Sequence, residues 1–89
     1  MAWLEEPELE TCYVIHAAEA ARVKIGCTKE DPVKRLKTFQ TGCPVALDLV
    51  AVLEGGWQKE QELHRRFADK RMRGEWFDDS ILPLLLAEA

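Results

Sequence analysis

The sequence has no long apolar run and no set of paired cysteines. None of its hydrophobic stretches approaches the roughly 18–20 residues that a membrane span needs, so we exclude a transmembrane anchor. The first ten residues contain four glutamates and no Lys or Arg, and we therefore expect no secretory signal. The sequence has three cysteines, an odd number, and they are widely spaced at Cys12, Cys27 and Cys43. This pattern fits neither a disulfide framework nor a paired zinc knuckle. These absences predict a cytoplasmic protein.

The length and composition are those of one small globular domain. The 89 residues are 47% hydrophobic and 31% charged, so the chain can bury a modest core and is not of the disordered class. We predict a single domain over residues 1–89 with its core at about 11–79. Residues 1–10 form an acidic lead-in, from which Trp3 and Leu4 could pack against the body, and a C-terminal helix lies within residues 80–89.

The net charge of −4 conceals an uneven distribution. All 12 Lys and Arg residues lie between Arg22 and Arg73, together with seven acids, so this stretch has a formal charge of +5. The other nine acids lie in the two flanks. A basic middle is compatible with a nucleic-acid partner. An ordinary solvated, salt-bridged surface would give the same distribution.

The first half of the chain predicts a hairpin followed by a helix. Thr11–His16 and Arg22–Gly26 have the composition of strands, with Ala17–Ala21 as their connection and Gly26 as the end of the second strand. Alternation puts Tyr13 and Ile15 on one face, with Cys12 and Val14 on the other. Asp31-Pro32 is a helix start, and this helix ends at Thr41-Gly42.

The second half predicts one more strand and two helices. The expected segments are a buried strand at Val45–Leu53, a helix at Trp57–Arg71, a short aromatic packing segment at Glu75–Phe77 and a last helix at Ile81–Ala87. The predicted element order is therefore β-β-α-β-α-α.

Glu60 and His64 are four residues apart on one predicted helix, so their side chains project from the same face. Trp57, Leu63 and Phe67 flank them, which indicates partial burial of this edge. A carboxylate at a buried surface needs a partner, which could be a metal cation or a Lys or Arg from elsewhere. His64 could take part in the chemistry of the site, or it could make only a hydrogen bond that stabilises the fold.

Tyr13, Lys24 and Arg35 are the other candidate site residues in the predicted elements. Lys24 interrupts the apolar pair Val23 and Ile25 and so occupies the opposite face of the second strand. It could equally be an exposed lysine on the polar face of a half-covered sheet. Arg35 could equally belong to the solvated basic face of its helix.

Several short motifs, in this order, resemble those of the GIY-YIG nuclease superfamily, and of its small phage and bacterial branch in which the second tripeptide reads Lys-Ile-Gly. The resemblance covers about residues 11–79. The matching motifs are Tyr13-Val14-Ile15, Val23-Lys24-Ile25-Gly26, Lys34-Arg35-Leu36, Gln40-Thr41-Gly42-Cys43-Pro44, Glu60 with Leu63-His64 and Phe67, and Gly74-Glu75-Trp76-Phe77.

The resemblance implies an α/β (α+β) fold with a small three-stranded antiparallel sheet flanked by helices. It also implies an endonuclease that hydrolyses nucleic-acid phosphodiester bonds, with DNA as the expected substrate. One divalent ion, Mg²⁺ or Mn²⁺, would be held by Glu60. Water would attack phosphorus in line, with no covalent intermediate. Because the chain is short, we expect such an enzyme to be weakly selective alone, or to act through a homodimer or a partner protein that supplies targeting.

The resemblance assigns individual roles to five more residues. Arg35 would contact the scissile phosphate and stabilise the charge of the transition state. Tyr13 would activate or position the attacking water, provided that cations such as Lys24 and the metal lower its pKa. Lys24, Lys34, Arg35 and Lys37 would bind the nucleic acid.

The sequence departs from the superfamily pattern at several positions. Thr11-Cys12 replaces Gly-Ile, and Lys24 replaces the second tyrosine, so one hydroxyl is missing. Phe39 stands where other branches have His or Tyr, and Glu75 where many have Asn. His64 could compensate, because an imidazole exchanges protons near neutral pH. These departures leave the identity of the general base open.

Other interpretations remain open at this stage. The same fold could form a nucleic-acid-binding module with weak or no catalysis, or a protein-interaction domain with a solvated charged surface. Zinc bound by the three cysteines and His64 would require distant elements to converge. We interpret the cysteines as small buried or half-buried residues. Trp76 and Phe77 could stack on bases, but core packing is the favoured interpretation.

Overall fold

The computed structural model describes residues 10–89. The predicted packing of Trp3 and Leu4 lies outside these residues. Residues 10–89 form five strands and three α-helices in the order β-β-α-β-α-β-β-α. The strands are β1 (Thr11–Ala17), β2 (Arg22–Thr28), β3 (Asp48–Leu53), β4 (Arg71–Arg73) and β5 (Trp76–Asp78), and the helices are α1 (Pro32–Gln40), α2 (Gly56–Arg66) and α3 (Leu82–Leu86).

The five strands form one antiparallel sheet in the order β3-β1-β2-β5-β4. The expected three-stranded sheet and the order β-β-α-β-α-α are therefore wrong in detail, although the α+β class is confirmed. The missed strands are β4 and β5, which have three residues each and are too short to show an alternating pattern. Gly74 turns the chain between them with a φ of 56°, and β5 then pairs with β2.

Several predicted boundaries also differ. β2 does not end at Gly26 but continues to Thr28. β3 begins at Asp48 rather than at Val45, because the amide group of Gln40 bonds the backbone of Val45 and Leu47 and holds that segment off the sheet.

The two later helices are shorter than predicted. α2 ends at Arg66, and a 3-10 turn at Ala68–Lys70 replaces its expected last turn. α3 is likewise preceded by a 3-10 turn at Asp79–Ile81. The predicted start of α1 is confirmed, since Asp31 Oδ1 accepts a hydrogen bond of 2.9 Å from the Val33 amide.

The central strand β1 is buried on both of its faces. The predicted division of the hairpin is confirmed, because Cys12 and Val14 belong to one apolar cluster while Tyr13 and Ile15 belong to the other. Leu63 of α2, Phe77 of β5 and Leu85 of α3 pack in the first cluster. Leu36 and Phe39 of α1 pack against the second. Alternate residues of β1 are thus covered by α1 on one face and by α2 and α3 on the other.

Among residues 10–89, no helix combines the length and the apolar character required to cross a membrane.

We expect Phe77→Ala to lower the free energy of unfolding by about 3–5 kcal/mol, because the ring is fully buried and its loss leaves a cavity beside β2 and α2. Urea unfolding followed by circular dichroism measures the change. Met72→Ala is the matched control in the same hairpin. Met72 is 50% exposed, so its substitution should change stability by no more than about 0.5 kcal/mol. Equal losses in both variants would contradict this account of the core.

Candidate active site

Tyr13 lies in the middle of β1 on the face covered by α1, with 1% of its surface exposed. Its partner across the hairpin is Gly26. A Cβ atom at position 26 would collide with the Tyr13 hydroxyl and would lie 2.8 Å from Glu75 Oε1. The hydroxyl and the carboxylate therefore lie together beside the Gly26 backbone, in space that a larger residue would occupy.

Lys24 lies two residues before Gly26 and on the same face of β2. Its Nζ is 3.4 Å from Glu75 Oε1, 4.5 Å from the Phe39 ring centroid and 5.3 Å from that of Trp76. Only 15% of its side chain is exposed, so the alternative of a solvated surface lysine is wrong. The ammonium is held by one carboxylate and two aromatic rings.

Arg35 projects from the first half of α1 toward the same group. Its guanidinium carbon lies 4.7 Å from the centroid of the Phe39 ring, which also contacts Lys24. Arg35 Nε is buried and has no hydrogen-bond partner within residues 10–89. An unpaired buried donor is costly, and an anionic ligand would satisfy it. Lys34 and Lys37 are exposed on the same helix.

The environment of Tyr13 raises the pKa of its phenol to about 12. Burial is the largest cause, and the negative charge of Glu75 adds to it. The neighbouring guanidinium of Arg35 acts in the opposite direction without compensating. The expectation that cations lower this pKa is therefore not met by the described residues, and Tyr13 carries its proton at neutral pH.

Glu60 occupies the side of the sheet covered by α2. It is 6% exposed, and Gln61 Nε2 donates a hydrogen bond of 3.3 Å to its Oε1. Burial raises the pKa of the neighbouring Cys27 thiol to about 12, and a hydrogen bond from this thiol to the Glu60 carboxylate adds to the shift. Within residues 10–89, no Lys, Arg or His lies within 4.0 Å of this carboxylate. The predicted alternative of a Lys or Arg partner is thus absent there.

His64 follows Glu60 by one turn of α2 and contacts the second strand. Its Nε2 lies 2.9 Å from the Ile25 carbonyl oxygen. Because a carbonyl oxygen only accepts, Nε2 carries the proton, and in a neutral ring Nδ1 is left as a proton acceptor. The ring also makes an edge contact with Phe77 at 4.9 Å. The structural hydrogen bond and a chemical role are therefore compatible.

A cleft of about 440 Å³ separates α2 from the β4–β5 turn. Glu60, His64 and Glu75 line it, together with Arg65 and Arg71. Glu75 is the residue shared by the two parts of the site, because it lines this cleft and also contacts Lys24. The cleft could hold a ligand that is coordinated by carboxylates on one side and bound by cations on the other.

The structure brings the predicted residues into two adjoining groups. Tyr13, Lys24, Arg35 and Glu75 form the inner group, and Glu60 and His64 lie in the adjoining cleft with Glu75. The predicted partial burial of the edge around Glu60 is confirmed by Leu63 and Phe67, which are 0% and 6% exposed. Trp57 does not share in it, because it is 57% exposed.

Three residues contribute to the site in ways that the sequence did not reveal. Phe39 contacts both inner cations, and Trp76 contacts Lys24. Gly26 leaves room for Tyr13 and Glu75. For Gly26 the available signal was the Lys-Ile-Gly tripeptide, which identifies a motif but not the contacts of its glycine. For Phe39 it was the superfamily position at which other branches have His or Tyr. Phe77 is confirmed as a core residue.

The cysteines are free, as expected, with Cys12 buried and Cys27 and Cys43 half-buried. No group of three His, Cys, Asp or Glu side chains within residues 10–89 is arranged to hold a metal. Zinc bound by the cysteines and His64 therefore has no support in this part of the chain.

Residues 10–85 match the T5orf172 domain. Because this match spans most of the 89 residues, the chain belongs to the T5orf172 domain family. The matched range includes every member of the two groups described above, from Tyr13 to Glu75. Neither the curated proteins nor the solved structures provide a significant match.

We expect Tyr13 to ionise with a midpoint near pH 12 in the folded protein, against about 10 in urea. Tyr13 is the only tyrosine of the chain, so the ultraviolet absorbance of the phenolate reports this group alone. Glu75→Gln should lower the folded midpoint, because a negative charge beside the phenol is removed. A folded midpoint near 10 would contradict the described environment.

The same shift predicts how stability depends on pH. Because the folded pKa lies above the unfolded value, the contribution of Tyr13 is complete below about pH 10 and is lost as pH rises through about 12. In urea titrations across this range, the parent should lose more stability than Tyr13→Phe.

Proposed function

We propose that this domain is a divalent-metal-dependent endonuclease of the GIY-YIG type that hydrolyses phosphodiester bonds of nucleic acid, with DNA as its substrate. The observation that carries the proposal is the Glu60 carboxylate, which is buried, lines a cleft and has no cationic partner within residues 10–89. An ionised carboxylate at a buried position is stabilised by a cation. A bound metal ion would satisfy it and would face a second carboxylate, Glu75, in the same cleft.

The donor set suits Mg²⁺ or Mn²⁺. Glu60 offers hard carboxylate oxygens, and Glu75 could assist it, while no third ligand of this kind is grouped with them in the described chain. Mg²⁺ commonly uses one or two carboxylates and fills its other positions with water and substrate phosphate. When bound, the ion would supply Lewis-acid stabilisation of the charge on the phosphate.

Arg35 and Lys24 supply fixed positive charge for the phosphate. The buried Arg35 Nε has no partner in residues 10–89, and a phosphate oxygen would satisfy it. Lys24 is held by Glu75 and two rings, so its ammonium is preorganised. Charges fixed before the reaction stabilise the transition state without a cost of reorganisation at that moment.

Tyr13 and His64 have different roles toward the attacking water: Tyr13 orients it, and His64 accepts its proton. Tyr13 is protonated at neutral pH and so can donate a hydrogen bond that orients an oxygen, but it cannot remove a proton. His64 holds its Nε2 proton toward the Ile25 carbonyl oxygen and leaves Nδ1 to accept one. Water forms the new bond to phosphorus as the bond to the leaving oxygen breaks. Nδ1 takes a proton of the attacking water, and the leaving oxygen takes a proton from solvent.

The motifs support assigning the domain to the GIY-YIG type within the T5orf172 family. The tyrosine of the first motif, the Lys-Ile-Gly tripeptide, the helix arginine and the later glutamate occur in the order that the superfamily shows. The observed hairpin, α1 and α2 carry those four positions. Glu75 connects them, because it contacts Lys24 and also lines the cleft beside Glu60. The resemblance thus agrees with the placement of the polar residues.

A nucleic-acid-binding module with lost catalysis is the second candidate. The observation that favours it is the raised pKa of Tyr13 together with the absence of a second tyrosine, since Lys24 occupies that position. In that case Arg35 and Lys24 would bind phosphate without hydrolysis. Cleavage assays separate the two candidates directly.

We expect Glu60→Gln to reduce cleavage of labelled DNA to the level seen with EDTA, because the amide cannot replace the charge that holds the metal. Purified protein is incubated with single- and double-stranded DNA and RNA in Mg²⁺, Mn²⁺ or EDTA. Glu62→Gln is the matched control. Glu62 lies on the same helix, is exposed and pairs with Lys59, so its loss should leave cleavage unchanged.

A readout independent of turnover tests the metal site. Free Mn²⁺ measured by electron paramagnetic resonance should fall when parent or Glu62→Gln is added, and less so with Glu60→Gln. Cleavage that persists in EDTA and in Glu60→Gln would overturn the proposal.

We expect Arg35→Ala to lower the rate of cleavage by about 100- to 1000-fold, the range for loss of one transition-state donor. Lys37→Ala, an exposed change on the same helix, should weaken binding slightly and leave the rate at saturating DNA unchanged. Rates come from single-turnover assays, and thermal unfolding verifies that both variants fold. Binding by the parent without any cleavage would favour the second candidate, and equal rates in the two variants would exclude the role given to Arg35.

A further inference from the structure

A second basic surface lies on the far side of the cleft from α1. Residues 65–73 contain five cations and one acid, Asp69. Arg66 is ion-paired with Glu88 at 2.9 Å, which leaves four cations that define the surface. We call these four residues the basic edge: Arg65, Lys70, Arg71 and Arg73.

The four cations of the basic edge form no ion pairs within the described chain. Within residues 10–89, none of its four cations lies within 4.0 Å of a carboxylate. All four are exposed. Arg71 Nε donates a hydrogen bond of 2.6 Å to the Gly74 carbonyl oxygen, which holds this guanidinium against the β4–β5 turn. The edge therefore carries net positive charge, part of it fixed in place.

The pairing of β4 distributes this charge over both faces of the sheet. Arg71 is the partner of Phe77 and Arg73 is the partner of Trp76, with an irregularity between them. Phe77 packs in the cluster under α2, whereas Trp76 packs in the cluster under α1. Arg71 and Arg73 are therefore paired with residues on different faces of the sheet. The edge strand β4 places one cation on each face.

The basic edge is continuous with the candidate active site. Arg65 and Arg71 line the same cleft as Glu60 and Glu75. A phosphodiester bond in the cleft would bring the neighbouring phosphates of its chain close to these guanidinium groups. Arginine suits such contacts because its planar fork binds phosphate oxygens in pairs.

We infer that the basic edge binds the sugar–phosphate backbone of nucleic acid on the side of the cleft opposite α1. This inference rests on the proposed function for the identity of the polyanion. The contacts are independent of base sequence and hold the substrate so that one phosphate lies in the cleft.

The test is the salt dependence of binding, measured by fluorescence anisotropy with a labelled DNA duplex and the corresponding single strand in EDTA. For the parent, the logarithm of the association constant should fall linearly with the logarithm of salt concentration. The double variant Arg71→Gln/Arg73→Gln should bind more weakly at low salt, with a slope smaller by roughly 2, since each lost phosphate contact removes about 1.

Two further variants control for folding and for general charge. Arg73→Gln alone, which leaves the Arg71–Gly74 hydrogen bond intact, should lower the slope by roughly 1. Arg66→Gln removes a cation of α2 that is ion-paired with Glu88 and does not line the cleft, so its slope should equal that of the parent. Urea unfolding verifies that each variant is folded.

The outcomes distinguish this inference from the proposed function. An unchanged slope in the double variant contradicts binding at the basic edge. It does so even if the parent cleaves DNA with Mg²⁺ and Glu60→Gln does not, which would support the proposed nuclease activity. A smaller salt-dependence slope in the double variant, without cleavage by the parent, supports binding at the basic edge and contradicts the proposed nuclease activity.

Three other results also overturn the inference. They are absence of nucleic-acid binding by the parent, preferential binding to vesicles of anionic lipid, and self-association of the double variant with unchanged DNA binding. The last would mean that these charges only protect the sheet edge from pairing.

Discussion

The close approach of Tyr13 to the backbone of Gly26 is the contact on which the polar site depends. β1 and β2 pair so that these two residues are partners, and only a residue without a side chain leaves room there for the phenol and for the carboxylate of Glu75. Lys24 then binds Glu75, and the rings around Lys24 hold its ammonium in place. A side chain at position 26 would separate groups that now share one small volume.

This arrangement concentrates charge in a domain with little core to spare. The two apolar clusters on either side of β1 are complete, yet the inner site places an ammonium, a guanidinium and a carboxylate at the margin of one of them. Buried charges of this kind require partners, and those of Arg35 and Glu60 are incomplete within the described residues. Binding of a metal and a phosphate would satisfy both, so ligand binding is expected to stabilise the folded domain.

The two short strands of the five-stranded sheet complete the inner group and form one wall of the cleft. β5 carries Trp76 to the inner group and follows directly on Glu75, while β4 carries Arg71 to the cleft. A three-stranded sheet would have left Lys24 exposed at an edge. The hairpin of β4 and β5 thus adds Arg71 and Glu75 to the lining of the cleft beside Glu60.

The sequence by itself determined the strands of the first hairpin, the division of their faces, the capped start of α1 and the residue types of the site, because periodicity and capping act over a few neighbouring residues. Only the tertiary structure decided that Lys24 is half-buried, that the pKa of Tyr13 is raised rather than lowered, and that β4 and β5 extend the sheet. Each of these depends on contacts between residues far apart in the chain, such as Tyr13 with Glu75 and Lys24 with Phe39. Strands of three residues are likewise stabilised by their partners and leave no pattern of their own.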